Sequence, residues 1–489
     1  MRRMLTSLMA VAAVTLGGCG QDLNITNPNS PTQDNALLNP RNASIRLIVG
    51  VLATYRATRA GQINAFGSYG RETYNMTPQD GRSVTGPYRD WKQNNAFTAG
   101  SEWGRYGNYR NAYAAIKVIN NATGLSTAEK EGGLGVLQTS IALEMLHIIE
   151  ARGAIGAVVD MTDDPNEILP FVSQDSVYTW ISSKLDEAKG HLDAAGASFF
   201  FPMHSGFSGF GVAANTPAGF GQFNRALKAR VEAKRGSLGC GLTCYNAALT
   251  ALGATWIADL TATNRDNGVY VIYSTAAGDA LNSTSFAQNT NLYVHPLIDS
   301  IPGVALDDRY RRKVDRQEAS ASNDDACSGS YDSPRTLVTV TATNRPCTYA
   351  TNVTSIPIIR NEELVLIRAE ARWFTTTTAG ALTDLAAVRA GSGADRGGTA
   401  VVSFLAPAND TQFVDELLLQ RTLSLFQEGH RFPDYRRFGR LAQLGTAPKD
   451  VAASFTVAPY SVLPALECDA RARAGNPGGI PLSCPGNTP

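Results

Sequence analysis

Apolar positions three or four residues apart dominate the chain and mark out helices. From Asn42 to Arg59, Ile45, Ile48, Leu52 and Tyr55 line one side. Trp103 to Ala122 repeats the pattern with Tyr106, Tyr109, Tyr113, Ile116 and Ile119, and Glu131 to Arg152 with Leu137, Ile141, Met145 and Ile148. Val177 to Ala194 carries Ile181, Leu185, Ala188 and Leu192; Asn224 to Gly236 and Tyr245 to Leu260 make a further pair. Three more helices lie between Ile356 and Leu441. The first takes Asn361 as its N-cap, with Glu362 and Glu363 next and an apolar face of Leu364, Ile367, Ala371 and Phe374. Capping oxygens and negative charge both suit the free N–H groups of a helix start. Thr375 to Thr378, poor helix formers, give the turn. The second carries Leu382, Leu385 and Val388 and stops at Gly391; the third starts at Asp410 or Thr411, packs through Val414, Leu418 and Leu425, and stops at Gly429.

Three stretches break this rhythm. Residues 61–102 hold glycines and prolines with Tyr69, Tyr74, Tyr88, Trp91 and Phe97 among them. A loop of that length is usually functional, and its aromatics argue against disorder. Residues 199–223 are rich in Phe and Gly; Phe207, Phe210 and Phe220 suit a loop core or a protein contact. Residues 261–358 show short alternating runs, Gly268 to Tyr273 and Thr336 to Thr341, that predict small strands or extended loops. The expected fold is mostly α: tetratricopeptide-like helical hairpins with long loop insertions and a few short β-strands, in one domain over 36–489.

The N-terminus carries a separate signal. Arg2 and Arg3 precede an apolar run from Leu5 to Leu16, too short to span a bilayer permanently. It closes on Leu16-Gly17-Gly18-Cys19, a bacterial lipobox pattern. Residues 1–18 are therefore read as a lipoprotein signal peptide, Cys19 as the acylated residue, palmitate included, and 19–35 as a polar tether. Several acyl chains anchor stably where one is marginal. Gly20 is not Asp, so the usual inner-membrane retention signal is absent.

Charge and cysteine narrow the picture further. Lys plus Arg equals Asp plus Glu at 43 each, which offers no basic surplus for nucleic acid. Loss of residues 1–18 removes Arg2 and Arg3 and leaves two more acids than bases. Of seven cysteines, six remain beside Cys19. An oxidising compartment permits disulfides, and of the fifteen pairings the local one is favoured: Cys240 with Cys244, Cys327 with Cys347, Cys468 with Cys484. Each pair brackets a Gly-, Ser- or Pro-rich loop. No zinc-protease motif, Walker loop or Gly-x-Ser-x-Gly elbow is present, and no cofactor is implied. His430 and Asp434 stand four apart, but Gly429 and Pro433 break that helix, so Glu428, Arg431, Asp434, Arg436 and Arg437 read as a structural ion-pair network. Tyr74, Asn75, Asp80, Arg82, Tyr88, Arg89, Asp90 and Trp91 combine aromatic faces with polar groups, as a sugar site requires. For Trp91 the favoured reading is packing of the loop onto the helices.

The order of motifs resembles the SusD/RagB family of outer-membrane nutrient-binding lipoproteins. Glu363, Leu366, Ile367, Arg368, Ala369, Glu370 and Ala371 match its first helix; Ala381, Leu382, Leu385, Val388 and Arg389 its partner. Arg421, Leu425, Glu428, Gly429, His430, Arg431, Asp434 and Arg436 match its closing segment. Thr422 and Ser424 replace usual charges, and Pro433 is a departure. The resemblance implies a lipid-anchored, outward-facing protein of the outer membrane and no enzyme. Its partner would be a SusC-type TonB-dependent barrel, to which it delivers an oligomeric nutrient. A glycan is the leading ligand; a peptide, or a helical scaffold without small ligand, stay open.

Overall fold

A computed structural model describes residues 39–77, 102–164, 166–315, 327, 334–337, 340–375, 378–393, 406–445, 457 and 459–487. Cys19, the signal peptide, the tether and the candidate site residues Asp80, Arg82, Tyr88 and Trp91 lie outside these residues.

The helical scaffold begins with α1 (Pro40–Tyr69), α2 (Trp103–Asn121), α3 (Thr127–Arg152), α4 (Gln174–Ala194), α5 (Pro217–Arg235) and α6 (Leu242–Leu252). Each packs on the next in sequence. Starts are chemically marked. Ser126 accepts from the Glu129 N–H while Glu129 reaches back to the Ser126 N–H, which closes a capping box on α3. Thr216 caps α5 with Pro217 in its first turn. The mostly helical fold class read from the sequence holds.

The insertions carry small strands, in antiparallel pairs. β1 (Thr73–Asn75) pairs with β3 (Leu292–Val294), and β2 (Gly268–Val271) with β8 (Ile356–Arg360). β4 (Val314–Asp315) pairs with β7 (Arg345–Pro346), and β5 (Arg335–Leu337) with β6 (Val340–Ala342). Thr336 to Thr341, expected as one run, is thus split across two strands of a hairpin. The short helices α7 (Pro296–Asp299) and α8 (Asp308–Lys313) fill the same insertion. β8 leads directly into α9 (Asn361–Trp373), which pairs with α10 (Thr378–Gly393) and packs back on α5 and α6. The chain closes with α11 (Asp410–Ser424), α12 (Arg431–Arg437) and α13 (Ala465–Arg473).

Several helix ends differ from expectation, and at Asn361 and Gly391 a tertiary contact is the reason. Helix α1 continues through Tyr69, so the insertion predicted from 61 starts later. Residues 217–223 of the Phe-rich stretch are the first turns of α5. Asn361 is the first helical residue of α9 and not its cap. Its amide donates to the Ala258 carbonyl at 3.0 Å and accepts the Ala258 N–H at 3.0 Å. It thereby ties down residues 256–260, which lie outside any helix where a continuation of α6 was expected. Gly391 does not stop α10: a Cβ there would sit 3.1 Å from the Leu260 carbonyl oxygen, so the glycine permits a close crossing. Helix α11 ends at Ser424, and Gly429, at φ +78°, closes the turn into α12.

The three disulfides join the expected neighbours, with Cα–Cα distances of 5.7, 6.1 and 5.5 Å for 240–244, 327–347 and 468–484. The main core runs from Ile48 on α1 through α3 to Ile367 and Ala371 on α9. The Phe-rich insertion feeds this core: Phe207, Phe220 and Phe223 are buried there and touch one another at 5.2–5.8 Å between ring centroids.

Candidate ligand-binding cleft

A cleft of about 510 Å³ opens where the 199–223 and 261–358 insertions meet the scaffold. It falls in the size range of small-ligand sites. One wall is aromatic. Phe210 stacks on Tyr270 with centroids 4.0 Å apart and planes at 20°. The pair is fixed by backbone: Gly268 N–H donates to the Phe210 carbonyl at 2.9 Å, and Tyr270 OH donates to the Asp266 carbonyl at 2.7 Å. The opposite wall is cationic. Arg312 donates to the Ser392 carbonyl at 2.8 Å, and Lys313 to the carbonyls of Leu423 and Ser424. Burial, with Arg360 nearby, pushes the Lys313 ammonium down to about 8, against the pull of Glu428 and Glu362.

The base of the cleft is an ion-pair network. Arg360 holds Glu428 at 2.7 Å, pairs with Glu362, reaches Asp266 at 3.3 Å and donates to the Ser424 carbonyl at 2.6 Å. Burial alone would raise the Glu362 carboxyl, but Arg360 and Lys313 outweigh it and hold it near 2. Such a base is rigid, because breaking one pair strands the other charge in low dielectric. Asp266, Tyr349, Thr354, Ser355 and Pro357 complete the lining, and the Thr348 hydroxyl beside them is buried without a hydrogen-bond partner among the described residues. The half-buried Phe210 ring, backed by the buried Tyr270, offers the apolar face, and with the donors and acceptors beside it suits a ligand with an apolar face and polar edges. Glu428, clamped by Arg360, is committed to the fold.

Of the sequence-predicted ligand residues, Tyr74 and Asn75 are the ones among the described residues. Tyr74 lies on β1 with 0% exposure, its ring edge-on to His295 at 4.4 Å. That burial denies it the exposed stacking face a sugar platform needs. Phe210, read as loop core or contact, walls the cleft; Tyr270, Arg312 and Thr348 carried no sequence signal. The closing network is present in altered form. Asp434 takes Arg421 at 2.6 Å and Arg437 at 2.9 Å, and Arg437 also holds Glu370 at 2.5 Å. Arg431 donates to the Gly70 carbonyl and the Thr422 hydroxyl, and Arg436 to the carbonyls of Glu150 and Pro459. Arg431 and Arg436 thus serve oxygens other than carboxylates, contrary to the expected all-ionic network. The reason at Arg436 is that the last carbonyls of α3 have no intrahelical partner and sit at its negative end.

Comparison with known proteins places these features. The SusD family profile matches residues 260–462. A SusD homolog from Bacteroides thetaiotaomicron has 14% identity and a TM-score of 0.62, covering 90% of this chain and 98% of that one. NanU from Bacteroides fragilis has 14% identity and a TM-score of 0.58, covering 93% and 99%. A Bacteroides vulgatus protein named as a candidate outer-membrane protein for nutrient binding has 14% identity and a TM-score of 0.60, covering 89% and 94%. No curated protein matches.

Proposed function

With the chain a member of the SusD/RagB family, carrying its segment at 260–462 and its fold over 90% of its length, we propose a nutrient-binding lipoprotein of the outer membrane. Acylated at Cys19 and facing outward, it binds an oligomeric nutrient, foremost a glycan. It passes that ligand to a SusC-type TonB-dependent barrel. The observation that supports a ligand of this kind is the Phe210–Tyr270 stack, which walls a cleft over a rigid ionic base. The loop bearing Asp80, Arg82, Tyr88 and Trp91 is proposed to add to this surface, since it departs from β1, which pairs with β3 of the same insertion.

Copurification from the outer membrane tests the partner, and an oligosaccharide panel with calorimetry tests the ligand. The expected result is a bound barrel, and a glycan whose affinity falls at least tenfold in Tyr270→Ala. Recovery of peptides with no glycan bound would replace the ligand class. A chain unacylated at Cys19 and absent from the outer membrane would overturn the reading.

A further inference from the structure

A second groove lies on the helical hairpins and shares no lining residue with the cleft. It consists of two adjoining cavities of about 380 and about 470 Å³ that meet at Asp160 and Met161. Residues 157–162 run between them, beginning at a bridge from Ala157 to Val172. Helix α2 holds this segment down: Tyr109 OH donates to the Val159 carbonyl at 2.7 Å, and Tyr106 OH to the Val158 carbonyl at 3.2 Å. The phenol hydroxyls are thereby used, and the rings remain as walls. In the larger cavity Tyr113 and Trp180, both half-buried, stand over a floor of Ile116, Ile141 and Met161. Lys184 Nζ covers one face of Trp180 at 5.5 Å from the centroid.

The decisive group is Gln138 on α3. It lines this cavity with 7% of its surface exposed. Its amide nitrogen donates to Glu187 at 2.6 Å. A carboxylate only accepts, so the atom facing Glu187 is the NH₂ and the other is the carbonyl oxygen. That oxygen is buried with no hydrogen-bond partner among the described residues. An unpaired buried acceptor is costly, and a ligand that brings an O–H relieves the cost. Asp160 at the shared rim is a second acceptor, and Lys184 supplies a donor.

We propose that this groove is a second ligand site, taking a neutral sugar ring of a short oligosaccharide. Its C–H face lies on Trp180 or Tyr113, one hydroxyl donates to the Gln138 carbonyl and another to Asp160. Asp160 and Glu187 disfavour acidic sugars by like charge. The choice of sugar rests on the nutrient-binding reading; the groove itself does not.

The test is calorimetry on the full chain with maltotriose, cellotriose and xylotriose, in wild type and in a Phe210→Ala background that silences the cleft. The expected result is one trisaccharide that still binds the Phe210→Ala protein. Its affinity then falls at least tenfold on adding either Trp180→Ala or Gln138→Leu, which removes the carbonyl, with the circular dichroism spectrum unchanged. Absence of binding by all three sugars to the Phe210→Ala protein overturns the proposal. Binding that survives both added substitutions does so too, as does a Gln138 carbonyl satisfied by an ordered water only. If wild-type binding is insensitive to Phe210→Ala and Tyr270→Ala but lost in Trp180→Ala, the groove stands and the cleft reading fails.

Discussion

Arg230 on α5 and Glu363 on α9 form a doubly hydrogen-bonded pair at 2.7 and 2.5 Å, with side chains 2% and 1% exposed. Arg230 has one further acceptor, the Ile358 carbonyl at 2.6 Å. Burial pushes the Glu363 carboxyl up, but Arg230 and then His430 outweigh this and hold it near 2. Glu363→Leu leaves the guanidinium buried and mostly unpaired, which costs about 3–5 kcal/mol. At about 2.1 cal/mol/K per residue the unfolding entropy of a chain this long is roughly 1 kcal/mol/K, so Tm falls by about 3–5 °C. Replacing both partners, Arg230→Met with Glu363→Leu, removes the stranded charge and restores most of the loss. The pH dependence follows from a depressed carboxyl: its contribution is complete above about 4.5 and is lost as pH falls through about 2. The deficit of Glu363→Leu therefore shrinks towards pH 3. Thermal melts followed by circular dichroism at pH 7 and pH 3 provide the measurement. A double variant as unstable as the single one would refute the reasoning, as would a single variant within 1 °C of wild type.

Glu72 tests the opposite sign: burial raises its carboxyl to about 7, despite Arg431 and the Gln427 N–H. Its stabilisation is complete below about 4.5 and is lost as pH rises through about 7, so Glu72→Gln gains roughly 3 kcal/mol over wild type at pH 8 and nothing at pH 4. Urea midpoints of the two proteins at both pH values check this. The Cys468–Cys484 bridge spans 16 residues, so its removal in Cys468→Ser with Cys484→Ser costs about 3 kcal/mol. Limited proteolysis should then cut within 459–487 first, even though Arg471 still bonds the Leu169 carbonyl at 2.8 Å.

Helices were legible because their information is local. Periodicity located α2 to within a residue and the ends of α3 and α4, but their starts lie four and three residues earlier than expected, at the caps Ser126 and Ser173. What failed was decided by distant chain. Asn361 has the chemistry of a cap, but its amide serves Ala258, 103 positions away. Gly391 has the chemistry of a stop, but it makes room for Leu260. Thr422 replaces a charge common in the family, and here it accepts from Arg431. The cleft escaped detection for the same reason: its rings come from two insertions, and its base joins Arg360 to Glu428 across 68 positions. Tyr106, Tyr109 and Tyr113 form one stripe in sequence, yet only Tyr109 is buried and Tyr113 is left at the groove.

The three bridges pair in order of appearance along the chain. A thiol oxidase meeting cysteines as they emerge from a translocon would make all three correctly without reshuffling. That rule tolerates no extra thiol ahead of Cys240. Left bare, Cys19 would shift every pairing by one: 19 with 240, 244 with 327, 347 with 468. Acylation of Cys19 would then safeguard oxidation as well as attachment. In a cell that oxidises the chain as it is exported, a bare Cys19 should scramble the pairings and its Cys19→Ser counterpart should keep them, as mapped by peptide mass spectrometry.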